Sequence, residues 1–256
     1  MLQRTLLRVA ARAAPRALRT LSTAPQFDEA MAKAYNIVAE NHRHKDGPWS
    51  RMRDKVIEAV DGRAGCTILD LASGPGEPAA TVAEALPDAH VLATDVADAM
   101  VAAATNATSH LSNVKVQLAD AQNLEGMSDA SYDVVTCCYG YMFPTEKETA
   151  LAETLRVLKP GGTLVILETS TPENQLISRG FDFYFGKIMP TLGGIIADSA
   201  KEYEWLYEST SAFLSKDALK LMMKKSGFIN LKVIPHTLGT AATHIGYKPL
   251  GRVGRH

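Results

Sequence analysis

The sequence is poor in the features that mark specialised protein classes. Its 256 residues include only three cysteines, and 27 basic residues are balanced by 28 acidic ones, which leaves a formal net charge of −1. So few cysteines exclude a disulfide scaffold, and the absence of a basic excess argues against a nucleic-acid-binding protein. No stretch reaches the ~18 consecutive apolar residues of a membrane-spanning helix. With 46% apolar residues, a chain of this length can form one large α/β domain or two small ones.

The first 27 residues contain five arginines but no lysine and no acidic residue. The arginines recur every three or four positions and would line one helical face. They are Arg4, Arg8, Arg12, Arg16 and Arg19. Such a leader is typical of a mitochondrial or plastid transit peptide. We expect a transit peptide over 1–24 and a mature domain over 25–256 with a net charge of about −6, with a basic surface helix that stays attached as the alternative. The expected localisation is the mitochondrial matrix, with the plastid as the alternative.

The three cysteines give no sign of a metal or redox site. Cys137 and Cys138 are adjacent within an apolar run, so they do not form a CxxC pair, and Cys66 opens another such run. No spacing of cysteine and histidine matches a zinc site. We therefore predict buried, reduced cysteines in strands and no bound metal.

Short apolar runs alternate with helical stretches between residues 66 and 167. Strands are predicted over 66–71, 90–94, 114–118, 132–138, 163–167, 228–234 and 240–247. A helix over 146–157 is expected to stop at Lys159–Gly162. This alternation predicts an α/β fold, a doubly wound Rossmann-like sheet of about seven strands with the last one antiparallel. Two helices are expected over 27–61, and the aromatic-rich segment 172–212 is expected to form a cap or insertion.

A turn containing two glycines follows the first strand and opens the first helix of the sheet. Gly74 and Gly76 permit close approach of a ligand to the backbone, as in the fingerprint of dinucleotide-binding proteins. Asp70 and Glu77, however, would repel a pyrophosphate. The same carboxylates would attract the sulfonium and ammonium groups of S-adenosylmethionine. We therefore predict that Asp70, Ala72, Gly74 and Gly76 bind this cofactor.

Two further acids come at the ends of the next two strands. Asp95 follows Gly76 by 19 residues and is placed to accept the hydroxyls of a ribose, and Asp120 is placed to accept from the adenine amino group. Val96 and Ala121 follow these acids and are expected to contact the adenosine. Helix capping or solvation would explain one such acid. Three acids at successive strand ends favour a cofactor site.

Five segments within 68–168 resemble the class I S-adenosylmethionine-dependent methyltransferases: ILDLASGPGEPA, LATDVADAM, LADAQNLEG, YDVVTCCYGYMFP and TLRVLKPGGTLVILE. The tail, from DFYFGKIMPTLGG to THIGYKP, is similar to the quinone-ring C-methyltransferases of ubiquinone and menaquinone synthesis. The resemblance covers most of 27–249. It implies a small-molecule methyl acceptor and association with a membrane-bound complex.

One segment departs from the quinone enzymes. After the fourth strand that family carries Phe-Gly-Ile-Arg-Asn, whose Arg and Asn are thought to help activate the ring. Met142 and Phe143 stand at those positions here. The resemblance implies that Cys138 lies beside the transferred methyl group and that Tyr139, or else Tyr141, orients the acceptor, with ordinary aromatic packing as the alternative for both.

The resemblance also implies roles for two residues outside the segments that contain the strand-end acids and the acceptor tyrosines. Tyr35 is expected to close over the methionine part of the cofactor. His244 matches the histidine of the family's H-x-G-Y-K segment and is a candidate catalytic residue, with a structural role as its alternative.

Three functions stay open at this point. The first is a mitochondrial quinol C-methyltransferase. The second is an S- or N-methyltransferase for a small polar metabolite, in which Arg179, Lys187 or His236 would face a carboxylate. The third is a non-catalytic accessory protein with a methyltransferase fold, against which the intact acids and glycines argue.

Overall fold

The computed structural model describes residues 48–61, 63–172, 179 and 214–251. Its elements in chain order are α1 (Pro48–Val60), β1 (Thr67–Leu71), α2 (Glu77–Ala85), β2 (His90–Asp95), α3 (Asp98–Ala107), β3 (Val114–Leu118), β4 (Tyr132–Cys138), α4 (Lys147–Val157), β5 (Leu158–Thr169), α5 (Lys216–Lys225), β6 (Ile229–His236), a 3-10 turn (Thr237–Gly239) and β7 (Ala241–Tyr247). The predicted transit peptide, Tyr35, Lys187 and nearly all of the predicted cap lie outside these residues. Within them, no helix has the length and apolar character needed to span a membrane.

The seven strands form one sheet in the order β3-β2-β1-β4-β5-β7-β6. The first five strands run parallel to one another, whereas β7 runs antiparallel between β5 and β6. The predicted α/β sheet with an antiparallel last strand is therefore confirmed. The strand order reverses between β1 and β4, and open α/β sheets bind ligands at the carboxyl ends of the strands beside such a switch point.

Both faces of the sheet are apolar, and each is covered by helices. Between one face and the helices α1 and α2, the fully buried side chains include Met52 and Val56 of α1 and Ile68, Val134 and Val165 of the sheet. Between the other face and the helices α4 and α5, they include Leu69, Val135 and Ile166 of the sheet, Leu151 of α4 and Leu219 of α5. Burial on both sides explains why the strands are nearly continuous apolar runs. It also holds the residues at the carboxyl edge in fixed positions.

Strand β5 starts earlier than the sequence predicts. Helix α4 ends at Val157 as expected, but Lys159–Gly162 continues as strand instead of forming a loop. The backbone N–H of Gly161 donates to the carbonyl of Lys248, and the N–H of Lys248 donates to the carbonyl of Gly162. These two bonds to the segment after β7 keep the glycine-containing stretch extended.

Helix α1 runs antiparallel to the parallel strands. Just past its C-terminal end, Arg63 contacts Asp133 at the start of β4. Near its N-terminal end, Nη1 of Arg51 lies 3.2 Å from Nδ1 of His236, the last residue of β6. The N-terminal end of α1 therefore lies at the same edge as the carboxyl ends of β4 and β5.

Candidate active site

The glycine loop, residues 72–76, connects β1 to α2. Gly76 has a φ of 93°, and a Cβ on it would lie 3.0 Å from both the Cα and the Cβ of Ala104 on α3. Gly74 also has a positive φ of 55°, but nothing lies within 4 Å of its Cβ position. The loop is therefore packed tightly on the Gly76 side, whereas the described residues leave space at Gly74, where a ligand can approach the backbone.

Asp70 is a buried carboxyl group with one oxygen left without a partner. Its Oδ1 accepts a hydrogen bond from the hydroxyl of Thr136 on β4 at 2.5 Å. Its Oδ2 and the buried hydroxyl of Ser73 have no hydrogen-bond partner of good geometry among the described residues, although the Ser73 hydroxyl is near enough to lower the pKa of Asp70, as the hydroxyl of Thr136 also does. Burial raises the pKa of Asp70 to about 6. Because buried polar atoms are normally paired, these two oxygens fit a ligand that brings positive charge and N–H donors.

Asp95 ends β2 and reaches the glycine loop. Its Oδ2 accepts the N–H of Gly74 at 2.9 Å, and its Oδ1 accepts the N–H of Ala97 at 3.0 Å. Burial raises the pKa of Asp95, whereas these backbone hydrogen bonds oppose the rise. Each oxygen keeps a second lone pair, so the carboxylate can still accept two hydroxyl protons. Val96, the next residue, is half-buried.

Asp120 lies two residues beyond the end of β3 and is half-buried, as is Ala121. Its Oδ1 accepts the backbone N–H of Gln122 at 2.9 Å and the side-chain Nε2 of Gln122 at 3.2 Å. The Oε1 of Gln122 in turn accepts the hydroxyl of Thr145 and the N–H of Glu146, just before α4. Gln122 therefore joins the third strand-end acid to the loop that follows β4.

The segment from Tyr139 to Phe143, here called the β4 loop, touches the glycine loop. A Cβ on Gly140 would lie 2.4 Å from the Cβ of Ala72, so the two loops are in direct contact. Tyr139 has a φ of 53°, and its N–H donates to the carbonyl of Leu167 on β5 at 2.8 Å. The predicted cofactor loop and the predicted acceptor loop are thus adjacent, as a transfer between two ligands requires.

The two candidate tyrosines differ in how far their hydroxyls are available. Tyr141 is 2% exposed, and its hydroxyl donates to the carbonyl of Lys147 at 2.6 Å. Tyr139 is half-buried, and its hydroxyl bonds to none of the described residues. Burial raises the pKa of both phenols, and it raises the pKa of the buried Cys138 thiol well above its usual value. Tyr139 can therefore orient an acceptor as a neutral hydrogen-bond donor, not as an anionic base.

Glu168 is a functional candidate that the sequence does not reveal. It is fully buried at the carboxyl end of β5. Its Oε2 accepts the backbone N–H groups of Tyr141 at 3.0 Å and Met142 at 3.3 Å, and its Oε1 accepts the N–H and hydroxyl of Thr169. Burial raises the pKa of Glu168 to about 7. The only signal in the sequence is an acid at the end of a strand that is otherwise apolar.

His244 does not meet the glycine loop. It lies on β7 opposite Ile166, three strands and therefore about 14 Å from β1. Its Nε2 is 2.8 Å from the carbonyl oxygen of Lys216 at the start of α5, and burial lowers its pKa. This contact suits the structural alternative for His244. A catalytic role stays a prediction.

His236 and Arg179 were the other polar candidates for the acceptor side. His236 is buried at the carboxyl edge, and its Nε2 lies 2.7 Å from the hydroxyl oxygen of Thr243. Burial and the neighbouring Arg51 lower its pKa, so the ring is neutral at pH 7. A neutral imidazole is a poor partner for a carboxylate. Arg179 is exposed.

The residues at this edge fit S-adenosylmethionine. Acids lie at or just after the ends of three neighbouring strands. Within the part of the chain that the structure describes, a buried carboxylate oxygen beside the glycine loop has no partner and there is space at Gly74. These groups match a cationic ligand that also carries a ribose and an adenine. The described residues contain no cluster of three or more metal-binding side chains, and the three cysteines are free and buried as predicted.

Comparisons with known proteins agree with this assignment. Residues 30–248 match the ubiE/COQ5 methyltransferase family. The chain is 38% identical over 197 residues to a demethylmenaquinone methyltransferase of Staphylococcus aureus (strain JH9), which spans 77% of this chain and 81% of that protein. A SAM-dependent methyltransferase from Aquifex aeolicus has a TM-score of 0.60 at 17% identity, over 87% of this chain and 99% of the other. Phosphoethanolamine N-methyltransferase 2 of Haemonchus contortus, solved with S-adenosyl-L-methionine, has a TM-score of 0.65 at 16% identity, over 88% of this chain and 58% of the other. These two structures share the fold of this chain.

Proposed function

This chain belongs to the ubiE/COQ5 methyltransferase family and is an S-adenosylmethionine-dependent methyltransferase of small molecules, and we propose that its acceptor is a ring carbon of a demethylated quinol of the ubiquinone or menaquinone type. The family match carries the proposal, because residues 30–248 include both the cofactor segments and the tail. Met142 and Phe143 stand where the quinone enzymes carry Arg and Asn, so the proposal requires methylation of the ring without that pair.

In this proposal the chain's own residues bind the cofactor, and the protein needs to contribute little further chemistry. Bound S-adenosylmethionine provides an electrophilic methyl group on a positively charged sulfur. Asp70, Asp95 and Asp120 would hold its cationic, ribose and adenine parts respectively. Transfer of this kind depends chiefly on alignment and on the exclusion of water, since the leaving group is already activated.

The acceptor is oriented from the β4 loop. Tyr139 directly precedes Gly140, which makes the contact between the two loops, and its hydroxyl bonds to none of the described residues. Its raised pKa keeps the proton in place for a hydrogen bond to a ring oxygen. The buried Tyr141 supports the same loop through its bond to Lys147. Replacement of Tyr139 by Phe should therefore impair turnover more than the same replacement of Tyr141, which should chiefly lower the melting temperature.

An acceptor panel tests the proposal. The purified chain is incubated with methyl-labelled S-adenosylmethionine and either reduced, demethylated quinols or small thioether and amine acids. Label should appear on a ring carbon of the quinol, located by NMR or fragmentation mass spectrometry, and Asp70→Asn should abolish it. Label in the polar panel alone would overturn the quinol proposal and favour an S- or N-methyltransferase.

The same proposal places the enzyme in mitochondria, on the basis of the five arginines of residues 1–24. Residues 1–24 fused to a reporter should enter isolated mitochondria and be cleaved, and replacement of all five arginines by glutamine should prevent import. Entry into plastids alone would contradict this localisation.

A quinol acceptor also implies contact with a membrane surface or a membrane-bound complex. The chain should sediment with vesicles that contain the demethylated quinol more than with plain vesicles. Equal sedimentation with both would contradict recruitment by the acceptor.

A further inference from the structure

Hydrogen bonds from neighbouring side chains hold both the N–H and the C=O groups of the β4 loop. Glu168 accepts the N–H groups of Tyr141 and Met142, while the ammonium of Lys147 donates to the carbonyl of Met142 at 2.9 Å and to that of Pro144 at 2.8 Å. Glu168 comes from β5 and Lys147 from the start of α4. The loop is therefore tied to two elements that do not themselves carry predicted cofactor contacts.

The two hydrogen bonds to Glu168 lie close in the chain to a residue with a strained backbone, Tyr139. Tyr139 has a φ of 53°, a backbone conformation that residues other than glycine rarely adopt. Gly140 allows the loop to pass against Ala72 with no room for a Cβ. Such a conformation persists only where surrounding contacts hold it, and the carboxylate of Glu168 supplies two of them.

We propose that Glu168 is a positioning residue that holds the β4 loop in the shape required by the methyl acceptor, and that the charge on its carboxylate determines how firmly the loop is held. This inference needs methyl transfer from S-adenosylmethionine, but it does not need the acceptor to be a quinol.

The charge of Glu168 changes near neutral pH. Burial opposes ionisation, whereas the hydrogen bonds from Thr169, Met142 and Tyr141 favour it, with a pKa of about 7 as the result. Among the described residues, the other titratable groups that interact with it are the thiols of Cys137 and Cys138, the phenol of Tyr139 and the ammonium of Lys147. The raised pKa of each thiol and of the phenol keeps all three neutral, so Glu168 and Lys147 carry the charge in this cluster.

Protonation of Glu168 weakens its hydrogen bonds to the β4 loop without breaking them. Only the hydroxyl of Thr169 can turn to accept a proton from Glu168, because the other three partners are backbone donors. The proton therefore sits on Oε1, and Oε2 continues to accept from the loop as a neutral carbonyl. Charge-assisted hydrogen bonds are about twice as strong as neutral ones. Glu168→Gln, with its amide oxygen toward the loop, removes the charge at every pH as protonation does, although its NH₂ can no longer accept the backbone N–H of Thr169.

Amide hydrogen exchange on the full chain tests the inference with no acceptor present. Protection factors, corrected for the intrinsic effect of pH, are measured for the N–H groups of Tyr141 and Met142 at pH 6 and pH 8. Wild type should gain about tenfold protection at pH 8, and Glu168→Gln should show the lower value at both pH values. The N–H of Leu124, which donates to Glu153, is an internal reference because the pKa of Glu153 is lowered by Arg156.

Turnover gives a second readout. Glu168→Gln should raise the KM for the acceptor at pH 8 several-fold while leaving the Kd of S-adenosylmethionine unchanged. Glu153→Gln, the matched exchange on α4, should change neither. If demethylated quinols are not methylated at all, the proposed acceptor is wrong, yet the exchange experiment still decides the role of Glu168. Equal protection of both amides at pH 6 and pH 8 in wild type would overturn it, whether or not the variant folds.

Discussion

The hydroxyl of Thr136 donates to Oδ1 of Asp70 at 2.5 Å across the switch point between β4 and β1. This bond uses one carboxylate oxygen and leaves Oδ2 for a ligand. It also lowers the pKa of Asp70 against the larger, opposing effect of burial. The affinity of the site for a cationic cofactor is therefore linked to the protonation of one buried acid.

The affinity for S-adenosylmethionine should rise with pH between 5 and 7. The pKa of Asp70 is about 6, and a cation binds its ionised form, so at lower pH a proton must leave first. Well below pH 6 the affinity should fall about tenfold for each pH unit. Calorimetry from pH 5 to 7 measures this. Asp70→Asn should bind weakly with a flatter profile, whereas Asp133→Asn, at the opposite edge of the sheet, should keep the wild-type profile despite a lower melting temperature.

Removal of the Thr136 hydroxyl should move that profile to higher pH. Without its hydrogen bond the charged form of Asp70 is less favoured, so Thr136→Val raises the pKa further while it preserves the shape of the side chain. The midpoint of the binding profile is the measurement. Thr136→Ser keeps the hydroxyl and should retain the wild-type midpoint; the same displacement in both variants would show that the hydroxyl is not responsible.

The contact between the glycine loop and the β4 loop should not tolerate a methyl group. In Gly140→Ala the new Cβ would lie 2.4 Å from the Cβ of Ala72, so one loop must move. We expect a loss of about 1–3 kcal/mol in the free energy of unfolding and weaker cofactor binding. Adding Ala72→Gly should recover part of both losses. Gly251→Ala, which meets no atom within 4 Å, is the control.

Gln122 should couple the cofactor side to the β4 loop. Gln122→Ala removes the bonds to Asp120, Thr145 and Glu146, and should weaken cofactor binding and lower the melting temperature together. Gln122→Glu keeps an acceptor for Thr145 and Glu146 but sets a second carboxylate beside Asp120. It should therefore weaken cofactor binding with a smaller change in melting temperature. Equal effects of both variants on the two measurements would contradict this division.

Much of this architecture could be predicted from the sequence, because the strands are apolar runs of characteristic length and their terminal acids stand out. The strand-end positions of Asp70 and Asp95 follow directly from that pattern. Glu168 and Gln122 could not be predicted in the same way, because their partners between β4 and α4 lie 23 to 27 residues away along the chain. The closeness of Gly140 to Ala72 likewise depends on the pairing of β1 with β4, which only the folded sheet provides. The early start of β5 depends on Lys248, a partner from the far end of the domain.

The free energy of unfolding should depend on pH in a way that reflects the titration of Glu168. Its pKa is raised from 4.5 in the unfolded chain to about 7 in the fold, mainly by burial, so the folded state binds the proton more tightly. The contribution of Glu168 to stability is therefore complete below pH 4.5 and is lost as pH rises through 7. Relative to Glu168→Gln, which cannot ionise, wild type should lose about 3 kcal/mol across this window.

Urea unfolding at pH 5 and pH 8 measures that difference directly, since titrations shared by both proteins cancel. Glu153→Gln is the matched control, because the pKa of Glu153 is lowered chiefly by Arg156 and the group stays ionised over the whole range. Its effect should be the same at both pH values. If the gap between wild type and Glu168→Gln were also constant, the carboxyl group would titrate normally and the β4 loop would be held equally firmly at every pH in this window.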